Sequence, residues 1–125
     1  MYKILIVDDD AFNLAVMGKI LEIEYETMSF RSGVQLLSYL QTGTADLILL
    51  DYLMPEMDGL EATTVIRKLE RADATTIPIV AATASAFEDD RIAIFKAGMN
   101  GYLLKPLNDE SVYSEMMKQI FPERE

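Results

Sequence analysis

The chain contains no cysteine and no histidine. Without cysteine there is no disulfide framework, no thiolate metal site and no thiol nucleophile. Without histidine there is no imidazole acid–base catalyst, and no phosphohistidine can form within this polypeptide. Long apolar runs are missing as well. None approaches the ~20 residues of a membrane-spanning helix, and the opening MYKILIV lacks the small-residue cleavage site of a signal peptide. Positive charge is scarce: 21 acidic residues face 11 basic ones, for a formal charge of -10. Such a surface repels phosphate backbones, so direct binding of nucleic acid is not expected. These absences together predict a cytoplasmic chain with neither a membrane nor a nucleic acid as partner.

What is present suits one domain spanning 1–125, long enough to bury a core without a disulfide or structural metal. Short apolar runs alternate with amphipathic segments. KILIV (3–7) is an aliphatic run that ends in three aspartates. From Phe12 to Glu24 apolar residues recur at mostly helical spacing, with Asp10 placed to accept the free amides of the first turn. Glu26 to Phe30 is a weaker strand candidate, and Ser32 caps the helical GVQLLSYLQ, which Gly43 is placed to close. DLILL (46–50) is uninterrupted and reads as a strand buried on both faces. Leu60 to Ala72 is helical, Pro78 to Thr83 a strand, and Phe87 to Ala97 a helix closed by Gly98. GYLLK (101–105) is the last strand, and Asp109 or Ser111 opens a helix through Ile120 that Pro122 stops. Five strands alternating with five helices predict an α/β fold: a doubly wound parallel sheet of flavodoxin type, with strand order 2-1-3-4-5.

In such a sheet ligands bind beyond the carboxyl ends of the strands, where the strand order reverses. The residues at those ends are Asp8 and Asp9, Asp51, Thr83 and Lys105. Taken singly, each has an ordinary explanation as a solvated turn, a helix cap, a strand residue or an exposed end. Taken together, on strands about 4.8 Å apart, they put three carboxylates, a hydroxyl and an ammonium on one edge. Crowded carboxylates need a counter-ion, and Lys105 offsets only part of the charge. A hard divalent cation, Mg²⁺ with Mn²⁺ as a substitute, suits an all-oxygen donor set, and zinc does not. A carboxylate beside that ion can attack phosphorus in line while cationic groups neutralise the equatorial oxygens, which describes an aspartyl-phosphate site. The small residues Ala81, Ala82 and Ala84 leave room there.

The acidic pair in ILIVDDD, the segment LLDYLMPEMDG, AATA at the end of the fourth strand and GYLLKP at the fifth resemble, in that order and spacing, the receiver domains of two-component response regulators. The resemblance covers essentially the whole chain. It implies a phosphoacceptor that takes its phosphoryl group from a histidine kinase or histidine phosphotransfer protein and signals to an effector domain or protein. By that resemblance Asp51 is the acceptor, and Asp8 and Asp9 hold the metal together with Asp51 and the Leu53 carbonyl. Thr83 and Lys105 bind the phosphoryl oxygens, Tyr102 is the switch aromatic, and the Lys105–Pro106 bond is cis. The switch then acts on the face of the fourth helix, fifth strand and fifth helix. The family implies no separate substrate, only catalysis of the domain's own phosphorylation and dephosphorylation.

Leu53 and Ser85 stand where the family flanks the path of a hydrolytic water, and an apolar Leu53 leaves the phosphoryl lifetime open. Asn13 and GMNGYLLKPL resemble receivers attached to hybrid kinases, so the chain reads as a stand-alone regulator or a piece of a larger one. Two other functions compete. An aspartate-nucleophile phosphatase of the haloacid dehalogenase type carries an acid two residues past its nucleophile, where this chain has Leu53. A degenerate docking receiver would lack the acceptor, the lysine or the acidic pair, and all of them are here.

Overall fold

The computed structural model describes residues 1–85 and 87–122. The chain runs β1 (Lys3–Val7), α1 (Ala11–Leu21), β2 (Glu26–Phe30), α2 (Gly33–Leu40), β3 (Leu47–Asp51), α3 (Gly59–Arg67), β4 (Ile79–Thr83), α4 (Glu88–Ala97), β5 (Gly101–Leu104) and α5 (Glu110–Ile120). The five strands are parallel, in the order β2-β1-β3-β4-β5. This is the doubly wound architecture that the alternating pattern predicts.

Period-two alternation divides the aliphatic strands between two layers. Ile4, Ile6, Leu47 and Leu49 face α1 and α5, packing with Leu14, Met17, Tyr113 and Met116. Leu5, Val7, Ile48 and Leu50 face the other way, toward Leu36, Leu40, Ala62, Ile66 and Ile94. Both β3 and β4 are buried along their whole length. Each fully buried leucine or isoleucine contributes about 1.5–3 kcal/mol, so much of the burial energy is concentrated in the middle of the sheet.

Several element ends differ from the sequence expectation. The first helix stops at Leu21 rather than Glu24, and Ile23 is 72% exposed beyond it. The third stops at Arg67, five residues before Ala72, and the Arg67 guanidinium holds main-chain carbonyls from other segments. It donates to Gly98 O at 3.0 and 2.7 Å, to Ile77 O at 2.8 Å and to Ala74 O at 3.1 Å. Gly43 lies past the end of α2 and does not use a left-handed conformation. Its amide donates to Tyr39 O at 2.8 Å, and a Cβ there would run into the Tyr39 ring. Gly98, by contrast, closes α4 with φ 105°. Of the two residues expected to open α5, Asp109 is the cap. Asp51 is the last residue of β3 rather than the first beyond it, and Lys105 lies one past β5.

Candidate functional site

Register fixes the site. Val7 lies opposite Leu50, Asp51 opposite Ala82, and Thr83 opposite Leu104. The residues that follow β1, end β3 and β4, and follow β5 therefore reach one sheet edge at nearly the same height. Asp8, Asp9, Asp51, Leu53, Thr83 and Lys105 line one open cleft of about 270 Å³. Every residue read from the strand ends is in it.

Asp8 and Asp51 are buried, at 1% and 3% exposure, while Asp9 is exposed. The Lys105 ammonium is 2.9 Å from Asp51 Oδ1 and 3.3 Å from Asp8 Oδ2. One oxygen from each of Asp8, Asp9 and Asp51 lies within 4.8 Å of the others. Burial pushes the Asp51 carboxyl up to about 6; the Lys105 hydrogen bond opposes this and the Asp8 and Asp9 charges add to it. Burial acts to lower the Lys105 pKa, but the hydrogen bond and charge of Asp51, backed by Asp8, outweigh it and the net shift is upward. One ammonium thus leaves the carboxylates under-compensated. The set offers oxygen donors only, at mutual distances a single small cation can bridge, and it fits Mg²⁺ or Mn²⁺.

Thr83 is buried, and its hydroxyl is already engaged, donating to Ser85 O and accepting from the Ser85 amide, each at 3.1 Å. Leu53 is 72% exposed at the rim. The Lys105–Pro106 bond is cis. Tyr102 sits apart from the cleft, half-buried on β5 against the layer that holds α4.

The loop after Asp51 is shaped by close approach. Gly59 donates its amide to Tyr52 O at 3.0 Å, and a Cβ there would lie 2.6 Å from the Asp51 carbonyl oxygen. Glu56 takes φ 70° to complete the turn.

Four residues about the cleft escaped the sequence reading as parts of the site. Asp10, expected only as a cap, caps α1 at 2.8 Å from the Phe12 amide and also donates its own amide to Asp8 Oδ1 at 2.9 Å. Asn13 Nδ2 lies 3.4 Å from Asp8 Oδ2, a contact that its place three residues past the cap could have suggested. Arg31 donates to the Asp9 carbonyl through Nε at 3.2 Å and Nη2 at 2.9 Å. Nothing local in the sequence links those two. Tyr52 donates its hydroxyl to Asp90 Oδ1 at 3.1 Å; burial first, then that carboxylate, raise the phenol above its usual value.

The model of the response regulator receiver domain family matches residues 4–117. The chain belongs to that family. This receiver domain is 36% identical, over 94% of its length, to part of hybrid signal transduction histidine kinase B of Dictyostelium discoideum, and 34% identical, over 93%, to part of the sensor histidine kinase GacS of Pseudomonas protegens. It spans only 6% and 13% of those two proteins. Among solved structures, chemotaxis protein CheY4 of Vibrio cholerae shares the fold, with a TM-score of 0.89 at 24% identity over 97% of this chain and 99% of that one. The receiver domain of a sensor histidine kinase from Pseudomonas aeruginosa, with a magnesium ion coordinated in its active site cleft, superposes with a TM-score of 0.83 at 32% identity. The match covers 94% of this chain and 95% of that one. The domain is thus a receiver of two-component systems, homologous to receivers of hybrid histidine kinases. Among the described residues, no helix is long and apolar enough to cross a membrane.

Proposed function

We propose that this receiver accepts a phosphoryl group on Asp51 from the phosphohistidine of a histidine kinase or histidine phosphotransfer protein. The reaction depends on Mg²⁺, for which Mn²⁺ substitutes. The observation that carries the reading is the Asp51 carboxylate itself: buried, ion-paired to Lys105 at 2.9 Å, and grouped with Asp8 and Asp9 in an open cleft.

Asp8, Asp9, Asp51 and the Leu53 carbonyl would hold a Mg²⁺, which would supply neutralising charge for the phosphoryl oxygens. An Asp51 carboxylate oxygen bonds to phosphorus as the phosphorus–nitrogen bond of the donor imidazole breaks, and the electron pair leaves with that nitrogen. Lys105 keeps its proton, orients Asp51 and meets one phosphoryl oxygen. The Thr83 hydroxyl turns to meet another. The acyl phosphate carries roughly 1.5 to 2 negative charges in place of the carboxylate's one, at a buried position. Tyr102 responds to the space Thr83 leaves, and the face of α4, β5 and α5 changes for an effector domain or protein to read. The domain catalyses its own phosphorylation and dephosphorylation and acts on no separate substrate.

Incubation with acetyl phosphate and Mg²⁺ tests this. Intact mass should rise by one phosphoryl group in the wild type and not in Asp51→Asn. Equal labelling of the two would overturn the assignment.

A further inference from the structure

Helix α4 is weakly held by its own side chains. Only Ile94 is buried, while Ile92 and Phe95 are about half exposed, at 54% and 52%. Its C-terminal end is nonetheless fixed, because the Gly98 carbonyl receives two bonds from Arg67. The N-terminal end is different. The capping residue is Phe87, which has no side chain able to accept a helix amide. Its place is taken by Ser85, whose Oγ accepts the Phe87 amide at 3.3 Å and donates to Asp90 Oδ2 at 2.8 Å. Asp90 Oδ1 accepts the hydroxyl of Tyr52, the residue directly after Asp51. Ser85 is in turn held at both main-chain polar groups by the Thr83 hydroxyl.

We infer that Tyr52, Ser85 and Asp90 form a latch that competes with the phosphoryl group for the Thr83 hydroxyl. The inference rests on the acceptor reading above. A hydroxyl has one proton to donate. Here that proton goes to the Ser85 carbonyl, and donation to a phosphoryl oxygen on Asp51 requires its withdrawal. Ser85 then loses its anchor, and with it goes the hydroxyl that caps α4 and holds Asp90 Oδ2. Phosphoryl binding and an intact latch therefore exclude each other, and the latch's hydrogen bonds set how far the resting state is favoured. Ser85, Asp90 and Tyr52 are positioning residues in this scheme. They touch neither phosphorus nor metal.

Removing latch bonds should favour the phosphoryl-bound state. The probe is beryllium fluoride with Mg²⁺, a phosphoryl mimic whose binding is reversible and read by calorimetry. Asp90→Ala deletes both carboxylate bonds and should bind the mimic about tenfold more tightly than wild type. Tyr52→Phe keeps the ring, deletes one bond and should gain about threefold. Mg²⁺ affinity measured alone should not change in Asp90→Ala. Amide exchange gives an independent readout: Ser85 and Phe87 should exchange faster in wild type once the mimic is bound. In Asp90→Ala the Phe87 amide should exchange fast from the start. Asp51-dependent binding of equal strength in wild type and both variants, or weaker binding in the variants, would overturn the latch alone. A wild type that does not bind the mimic, or binding that survives Asp51→Asn, would overturn the acceptor reading and the latch with it.

Discussion

Asp51 pays for its position. A carboxylate at the end of a fully buried strand gives up hydration, and the Lys105 ion pair returns only part of it, so the folded protein holds the Asp51 proton more tightly than the unfolded chain does. The pKa rises from 3.8 to about 6. The folded state binds the extra proton, so this group's stabilisation is complete below about pH 4 and is lost as pH rises through about 6. In the absence of divalent cation, Asp51→Asn should therefore match wild type in acid and become the more stable protein above pH 6, as measured by paired thermal melts across pH. A difference that does not grow with pH would contradict the burial account. The same proton competes with a metal. Saturating Mg²⁺ should raise Tm by binding only the folded state, and by more above pH 6 than below it. A Tm indifferent to Mg²⁺ at neutral pH would count against the carboxylate site.

Elements hold the site through their ends, and the ends were the least legible part of the sequence. Continuous aliphatic runs identified β1 and β3, helical spacing identified α1 and α3, cap and stop residues identified α2 and α5, and Asp10, Ser32 and Gly98 marked caps correctly. The early stop of α3 left no local trace, and the carbonyls that Arg67 holds there lie as far as 31 residues away. Replacing Arg67 with Met leaves the Gly98, Ala74 and Ile77 carbonyls short of donors. It should cost about 2–4 kcal/mol, read as a lower urea midpoint. Gly59 constrains the other end of that helix. Gly59→Ala places a methyl group against the Asp51 carbonyl and should destabilise by about 1–3 kcal/mol while slowing phosphorylation from acetyl phosphate. An alanine variant of wild-type stability would mean that the loop can yield without displacing Asp51.

At the scale of the molecule, one sheet serves two cores, since each strand sends alternate side chains into opposite layers. Neither layer can dissolve without exposing the other's backing. Urea unfolding followed at Tyr113 in one layer and at Ile66 in the other should therefore show a single shared midpoint, and two separated transitions would refute that coupling. The chain itself determined its alternation, its parallel sheet, its lack of imidazole and thiol chemistry, and which polar residues end the strands. Those are matters of local pattern and residue type, and they persist whatever surrounds them. The tertiary structure decided what depends on neighbours remote in sequence. It gave Asp51 its ammonium from 54 residues away, gave the Asp9 carbonyl its guanidinium from Arg31, and committed the Thr83 hydroxyl to Ser85. Hydrogen bonds and desolvation act over a few ångströms, and only the folded chain sets those distances.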